Sequence, residues 1–433
     1  MSQGKKALGF WRTWSLSVGY MIGSGVFLMP TVLAPLGLLG LSSWVISGAA
    51  AVLIALSLAS LARRIPKVGG PYAYTREAFG GFVGFLIAWA YWISLWTATA
   101  AIVVAFIGYL GVFIPALGES FFLATAAGLA TIAGLVVINI VGIREAGIFQ
   151  LATSILKIIP LLAIGVIGLF FLEPANVPAW NPSGGAPMAV LATASILTMW
   201  AFVGLEAASV PANDVVNPEK TIPRALVVAT LAVVAVYFLS SLAVMGLIPS
   251  AELAASQAPF ADAATHLWGR GGAVFIALGA LIATLGAANC SVLLSGQTPM
   301  AAAFDGLFPK AFGKLSKSKT PAFSLIVGGV LSGILMVMNY TKGFVGAFTF
   351  MILLSTLAVV IAYAFCAMAD LLFVLKEKAW PSPRLVRNAA VALGAFAFSM
   401  WLTVGSGEAS VFYAFLLLMA GLPFYVFIAK GKN

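Results

Sequence analysis

Charge is what this chain has least of. Of its 433 residues only 8% are Asp, Glu, Lys or Arg, while 62% are hydrophobic; a soluble domain carries about 25% charged residues. So little polar material excludes a water-soluble globule of this size. Histidine occurs once, as His266, and cysteine twice, as Cys290 and Cys366. One histidine excludes an imidazole-built metal centre. Two cysteines that both fall inside apolar runs exclude a disulfide framework and are read as small core residues. No phosphate-cradling G-x-x-x-x-G-K-[ST] loop occurs, which excludes an ATP motor of that type. No His/Cys/acid constellation offers membrane enzymology. The expectation is a protein that is not an enzyme and holds no cofactor and no metal. The start of the chain also lacks the short apolar stretch and small-residue cleavage site of a signal peptide.

Long apolar runs are what the chain has in abundance. A hydrocarbon core of roughly 30 Å needs about 20 residues of helix. Runs of that order stand at 10–34, 40–62, 82–114, 121–142, 147–172, 188–212, 225–248, 272–303, 322–339, 343–371, 386–405 and 409–428. The expectation is an all-α membrane protein of twelve transmembrane helices, a single domain over 1–433 embedded in the lipid bilayer. The net charge of +10 would suit nucleic acid, but position decides otherwise. With the N-terminus in the cytoplasm, every one of the 23 basic residues except Arg270, Lys342 and Lys157 falls in an inner segment or at the inner end of a run. That is the positive-inside bias, and shifting the frame by one span would invert it. It implies a multi-pass protein of the cell (inner) membrane with both termini cytoplasmic and no nucleic-acid partner. Asp370 then falls near the inner end of the tenth run, at headgroup depth.

Two of these runs carry interruptions. "GYMIGSGVF", Gly19 to Phe27, places glycine and serine in the middle of the first run, where each glycine costs a helix about 1 kcal/mol relative to alanine. Lipid tolerates irregular backbone only where it is buried in protein or lines a cavity. If the helix unwinds at Gly23-Ser24-Gly25, a second half-helix starts at the midplane with free N–H groups and a positive dipole end, a site sized for a carboxylate. The unwound carbonyls of Met21 and Ile22 would receive an ammonium. The alternative is close helix packing through Gly19-x-x-x-Gly23. The sixth run, "TMWAFVGLEAASVPAND" from Thr198 to Asp214, is interrupted by Gly204 and contains an intramembrane acid, Glu206. Such acids are functional by default. Glu206 reads either as a coupling and gating group or as a structural acid capping unwound backbone. Breaks in the first and sixth runs suggest two repeats of five spans, the second inverted because five is odd.

The motifs then fall into a familiar order. Gly23-Ser24-Gly25-Val26-Phe27, "PKVGGPYAYTREAFG" (Pro66 to Gly80), "GLEAASVPANDVVNPEKTIPRA" (Gly204 to Ala225) and "SGQTPMAAAFDGLFPKAFGKLSKSKTPA" (Ser295 to Ala322) carry the resemblance. On them the chain resembles the amino acid–polyamine–organocation superfamily of transporters. The pattern is similar to its arginine/agmatine antiporter branch and, next, to its bacterial neutral L-amino-acid exchangers. The resemblance implies a five-plus-five inverted repeat with discontinuous helices one and six, over 10–172 and 188–371, and two additional helices at 386–428. It implies that the Ser24 and Gly25 amides hold a substrate carboxylate. The substrate ammonium would rest on the carbonyls of Met21, Trp200 and Val203. Trp200 would be the aromatic gate, with Phe202 beside it.

Two departures bear on substrate and coupling. Where arginine-selective members place an asparagine and a tryptophan around the guanidinium, this chain has Thr99 and Ser291. Neither stacks on a cation, a contact worth about 0.5–2 kcal/mol, which tilts the expectation toward neutral or small L-amino acids. Lys157 is the second departure. It lies at least ten residues, or ~15 Å, from either end of its run, too deep to snorkel. By resemblance its ammonium stands in for the sodium of related carriers, so that transport is sodium-independent. The expected function is a secondary-active amino acid exchanger or permease working by alternating access. The alternative is a cationic amino acid or polyamine antiporter. An amino-acid sensor or a channel on the same scaffold is the reading from another class; no signalling domain and no rings of like residues support it. A homodimer is the candidate assembly.

Overall fold

The computed structural model describes residues 9–65, 69–141, 156–206, 215–340, 343–377 and 381–430. These residues form helices: α1 Phe10–Met21, α2 Ser24–Leu33, α3 Gly37–Arg64, α4 Pro71–Phe79, α5 Gly81–Leu110, α6 Ala116–Glu119 and α7 Phe121–Val141. The apolar stretch Leu156–Phe171 is α8. There follow α9 Pro187–Met199, α10 Pro218–Leu247, α11 Ser250–Ala255, α12 Pro259–Phe304, α13 Ala322–Tyr340, α14 Phe344–Leu375, α15 Pro383–Gly405, α16 Glu408–Met419 and α17 Leu422–Lys430. Helix is the expected answer in lipid, because it satisfies its backbone polar groups internally.

Among the described residues, eight helical runs are long and apolar enough to cross a membrane. One of them, Phe10–Arg64, is 55 residues long and contains α1, α2 and α3. Three shorter apolar helices accompany them: Leu156–Phe171, Pro187–Phe202 and Ala322–Met338. The chain is a multi-pass membrane protein. Large apolar side chains point outward along its flanks, Phe122, Phe170, Val404 and Phe427 among them, as a lipid-facing surface requires.

Helix ends lie close to the apolar runs, with instructive differences. The seventh run was expected from 225, but α10 begins at Pro218, where proline at the first turn costs no hydrogen bond. The eighth run emerges from the longer α12 at a kink at Gly269 (φ 65°). The last run is split between α16 and α17. The segment 147–155 of the fifth run, and 207–212 of the sixth, lie outside the described residues.

The core forms where α5 packs against α12, α13 and α14, and α3 packs against α9, α10 and α15. α2 sits inside this frame with all ten of its residues buried. Tyr109 Oη donates to Phe27 O at 2.7 Å, and Thr31 Oγ1 to Ser256 O at 3.1 Å. These bonds pin α2 to α5 and to the segment after α11.

Candidate functional site

The first run is broken as its glycines suggest. α1 stops at Met21, Ile22 turns extended (φ −78°, ψ 97°), and α2 restarts at Ser24 with no side-chain cap. The amides of Ser24 and Gly25 open α2 and so have no partner within it. The sixth run is broken too. α9 tightens into a 3-10 turn over Trp200–Phe202, Val203 is extended (φ −60°, ψ 131°), and Gly204 has φ +99°. Only glycine takes that backbone readily. A Cβ on Gly204 would also lie 1.6 Å from the Tyr20 ring.

The two breaks touch. A Cβ on Gly25 would fall 2.7 Å from Ala201 Cα, so glycine at this position is what lets α2 meet the 3-10 turn. Packing and unwinding were alternatives in the sequence; here the glycines do both. Between the breaks lies a cavity lined by Tyr20, Met21, Gly23, Ser24, Gly25, Ala98, Ile102, Trp200, Val203 and Ala287. Two buried polar atoms in that lining, Ser24 Oγ and Trp200 Nε1, have no hydrogen-bond partner among the described residues. Buried polar groups are almost always paired, so these mark where a ligand's polar atoms would go. The cavity measures only about 30 Å³, room for about two waters. A substrate requires the walls to move apart.

The intramembrane ionisable groups lie around this cavity, each with identifiable partners. Lys157 Nζ donates to Gly19 O at 3.1 Å, in the last turns of α1 before the break. A Cβ on Gly286 of α12 would sit 3.3 Å from the same nitrogen, so the ammonium is wedged between α1 and α12. Glu206 accepts from Tyr91 Oη at 2.7 Å and from Tyr363 Oη at 2.6 Å. Those hydroxyls clamp the carboxylate from α5 and α14. Tyr237 Oη of α10 donates to Met21 O at 2.7 Å and lies 3.4 Å from Ala201 O. It thereby ties the two breaks together.

Met21, Gly23, Ser24, Gly25, Trp200 and Val203 therefore come together on one cavity, while Ile22, Phe202, Thr99, Ser291, Lys157 and Glu206 stand outside its lining. Phe202 packs away from the cavity, tilted against Tyr237 at 5.7 Å between ring centroids and edge-on to Trp44 at 6.1 Å. Thr99 and Ser291 face each other instead, Oγ1 to Oγ at 3.1 Å, and both hydroxyls reach Leu95 O. The side chains that α5 and α12 present to the cavity are Ala98, Ile102 and Ala287. Of the carbonyls expected to receive an ammonium, Met21 O already accepts from Tyr237 and Trp200 O from the Val203 amide. Each carbonyl keeps a second lone pair. Sequence reading missed the four tyrosines 20, 91, 237 and 363. A tyrosine inside an apolar run is itself a signal, since its hydroxyl needs a buried partner.

The amino acid permease family model matches residues 8–429. The chain belongs to the amino acid permease family. This permease, a member of the amino acid–polyamine–organocation superfamily, has antiporters and transporters among its relatives. It is 30% identical to the arginine/ornithine antiporter of Pseudomonas aeruginosa, over 97% of this chain and 89% of that one. It is 30% identical to the putrescine transporter PotE of Escherichia coli K12, over 98% and 97%. With the cadaverine/lysine antiporter of the same strain it shares 32% identity, over 78% of this permease and 76% of that protein.

Proposed function

We propose that this permease is a secondary-active exchanger of amino acids or related amines, working by alternating access without sodium. Twelve spans, with 10–172 and 188–371 as inverted repeats and both termini cytoplasmic, make up the proposed frame. The observation that carries the proposal is the meeting of two broken helices on one cavity, with Ser24 Oγ and Trp200 Nε1 unpartnered and the amides of α2 opening beside them. A carboxylate takes the amides and Ser24 Oγ, and an ammonium takes the carbonyls of the breaks. Trp200 forms the movable wall, which agrees with a cavity too small for substrate until it opens. Lys157, wedged between α1 and α12, supplies the fixed positive charge that replaces a sodium ion. Glu206, held by two tyrosines, links the sixth run to α5 and α14 and carries the coupling role.

Two substrate readings rest on different observations. Ala98, Ile102 and Ala287 give the cavity a small, uncharged side-chain end, which supports neutral or small L-amino acids. The relatives' names, arginine/ornithine, putrescine and cadaverine/lysine, support a cationic amino acid or polyamine. Counterflow in proteoliposomes decides both questions. Trans substrate should accelerate uptake at least severalfold, equally in sodium and in choline buffer. Competition by alanine, serine and leucine against arginine, ornithine and putrescine then ranks the classes. Flux unaffected by trans substrate would remove the exchanger reading.

A further inference from the structure

A second and larger cavity, about 590 Å³, shares no lining residue with the first. That is within the roughly 300–1,000 Å³ of ordinary ligand sites. It lies where α3 and α14 end and α10 and α15 begin, and its lining includes Arg63, Arg224, Arg387 and Asp370 together with Leu56 and Val228. Leu56 and Val228 are exposed apolar residues, so one wall of the cavity continues onto the lipid-facing flank.

Arg63 and Arg64 both act on the charge of Asp370, but among the described residues no salt bridge joins the three lining arginines to another group. Among the described residues, Arg63, Arg224 and Arg387 make no hydrogen bond and no salt bridge. Three guanidiniums whose N–H donors have no partner and that line one cavity are a receptor for an oxyanion, and guanidinium forks suit phosphate oxygens. Asp370 is the opposite case. It is 1% exposed, and its Oδ2 accepts from Ser57 Oγ at 3.2 Å. Its Oδ1 receives no hydrogen bond among the described residues; Arg64 Nε stands 3.9 Å away. Arg64 does not depend on Asp370, because Glu377 lies 2.5 Å from its Nη1 and Ser60 Oγ accepts from its Nε at 3.4 Å. A buried carboxylate oxygen without a donor calls for one. Asp370, expected near the inner end of its run, sits in the last turns of α14 and is buried.

We propose that this cavity binds a phosphoethanolamine group, its phosphate on Arg63, Arg224 and Arg387 and its ammonium on Asp370. Basic pockets between helix ends are where lipid headgroups dock on membrane proteins. The apolar wall of Leu56 and Val228 continues the site for acyl chains, so the source is a membrane phospholipid carrying that headgroup. The site is independent of the substrate cavity and of the transport reading.

Native mass spectrometry of the full-length protein, delipidated in detergent and then offered single lipids, tests this. Phosphatidylethanolamine should be retained as a one-to-one complex in clear preference to phosphatidylcholine, which has the phosphate but no N–H, and phosphatidylglycerol, which has no ammonium. Asp370→Asn should reduce phosphatidylethanolamine retention by roughly tenfold, the scale of one charge-assisted hydrogen bond, and leave phosphatidylglycerol unchanged. Arg224→Gln with Arg387→Gln, both at exposed positions that leave folding intact, should reduce retention of both lipids. Soluble O-phosphoethanolamine should displace the lipid only weakly; displacement as effective as by the lipid itself would keep the headgroup chemistry and move its source to solution. Equal retention of all three lipids, or retention unchanged in the arginine double variant, would overturn the proposal.

Discussion

Tyr237 shows how much a single buried hydroxyl can hold. Its one proton serves Met21 O, the last carbonyl of α1, with Ala201 O also in reach. Tyr237→Phe keeps the ring that packs on Phe202 and Trp44 and removes only that bond. The expected stability loss is about 0.5–1.5 kcal/mol. Exchange should fall much further, by roughly tenfold or more, because the geometry of both breaks depends on it. Thermal unfolding together with counterflow separates the two effects, and a variant with wild-type flux would show Tyr237 to be packing alone. At this scale the sequence was legible in part. Gly204 announced a break by standing where a membrane helix avoids glycine. Tyr237 did not announce its partner, since 216 residues separate it from Met21 and no local pattern encodes such a pairing.

The elements that carry the site are half-helices, and their positions are set from outside. α2 is fixed by Tyr109 and by the bond from Thr31 to Ser256, whereas the end of α1 is held by Lys157 on Gly19 O. Lys157→Met preserves length and apolar packing but removes the bond and the charge. The protein should stay folded, since an isolated buried charge is costly to keep, while exchange falls to background. Size-exclusion behaviour and counterflow measured side by side check this; Lys157→Met with normal exchange would leave the lysine without a coupling role. Where elements begin and end was largely readable, because the boundary between apolar run and polar connection is sharp in a membrane chain. Which face of an element meets the cavity was not. α5 is buried nearly all round, so its apolar pattern carries no phase. Thr99 was expected on the cavity, yet it turns to Ser291 while Ala98 and Ile102, a turn apart on one face, line the space.

For the molecule as a whole, two features stand apart from each other. The cavity between the breaks is small, uncharged at its side-chain end and lined by Trp200. The cavity at the helix ends is wide and rich in arginine. The bias of the basic residues toward alternate connections was plain in the sequence, but the gathering of Arg63, Arg224 and Arg387 around Asp370 was not, because four separate helices bring them together. The tie between Arg76 and Asp305, 3.2 Å apart and both exposed, joins α4 to the end of α12. An exposed pair of this kind contributes about 0–1 kcal/mol, so it holds α4 to α12 only weakly. The central claim is that backbone groups freed at two helix breaks hold the substrate by its charged ends. A cryo-electron microscopy structure with the transported amino acid bound tests it most directly. The carboxylate should lie about 2.7–3.2 Å from the Ser24 and Gly25 amides, with the ammonium on the carbonyls of Met21 and Val203 and the cavity expanded around it. Substrate bound elsewhere, or a continuous first helix whose Ser24 and Gly25 amides are bonded within it, would contradict the account.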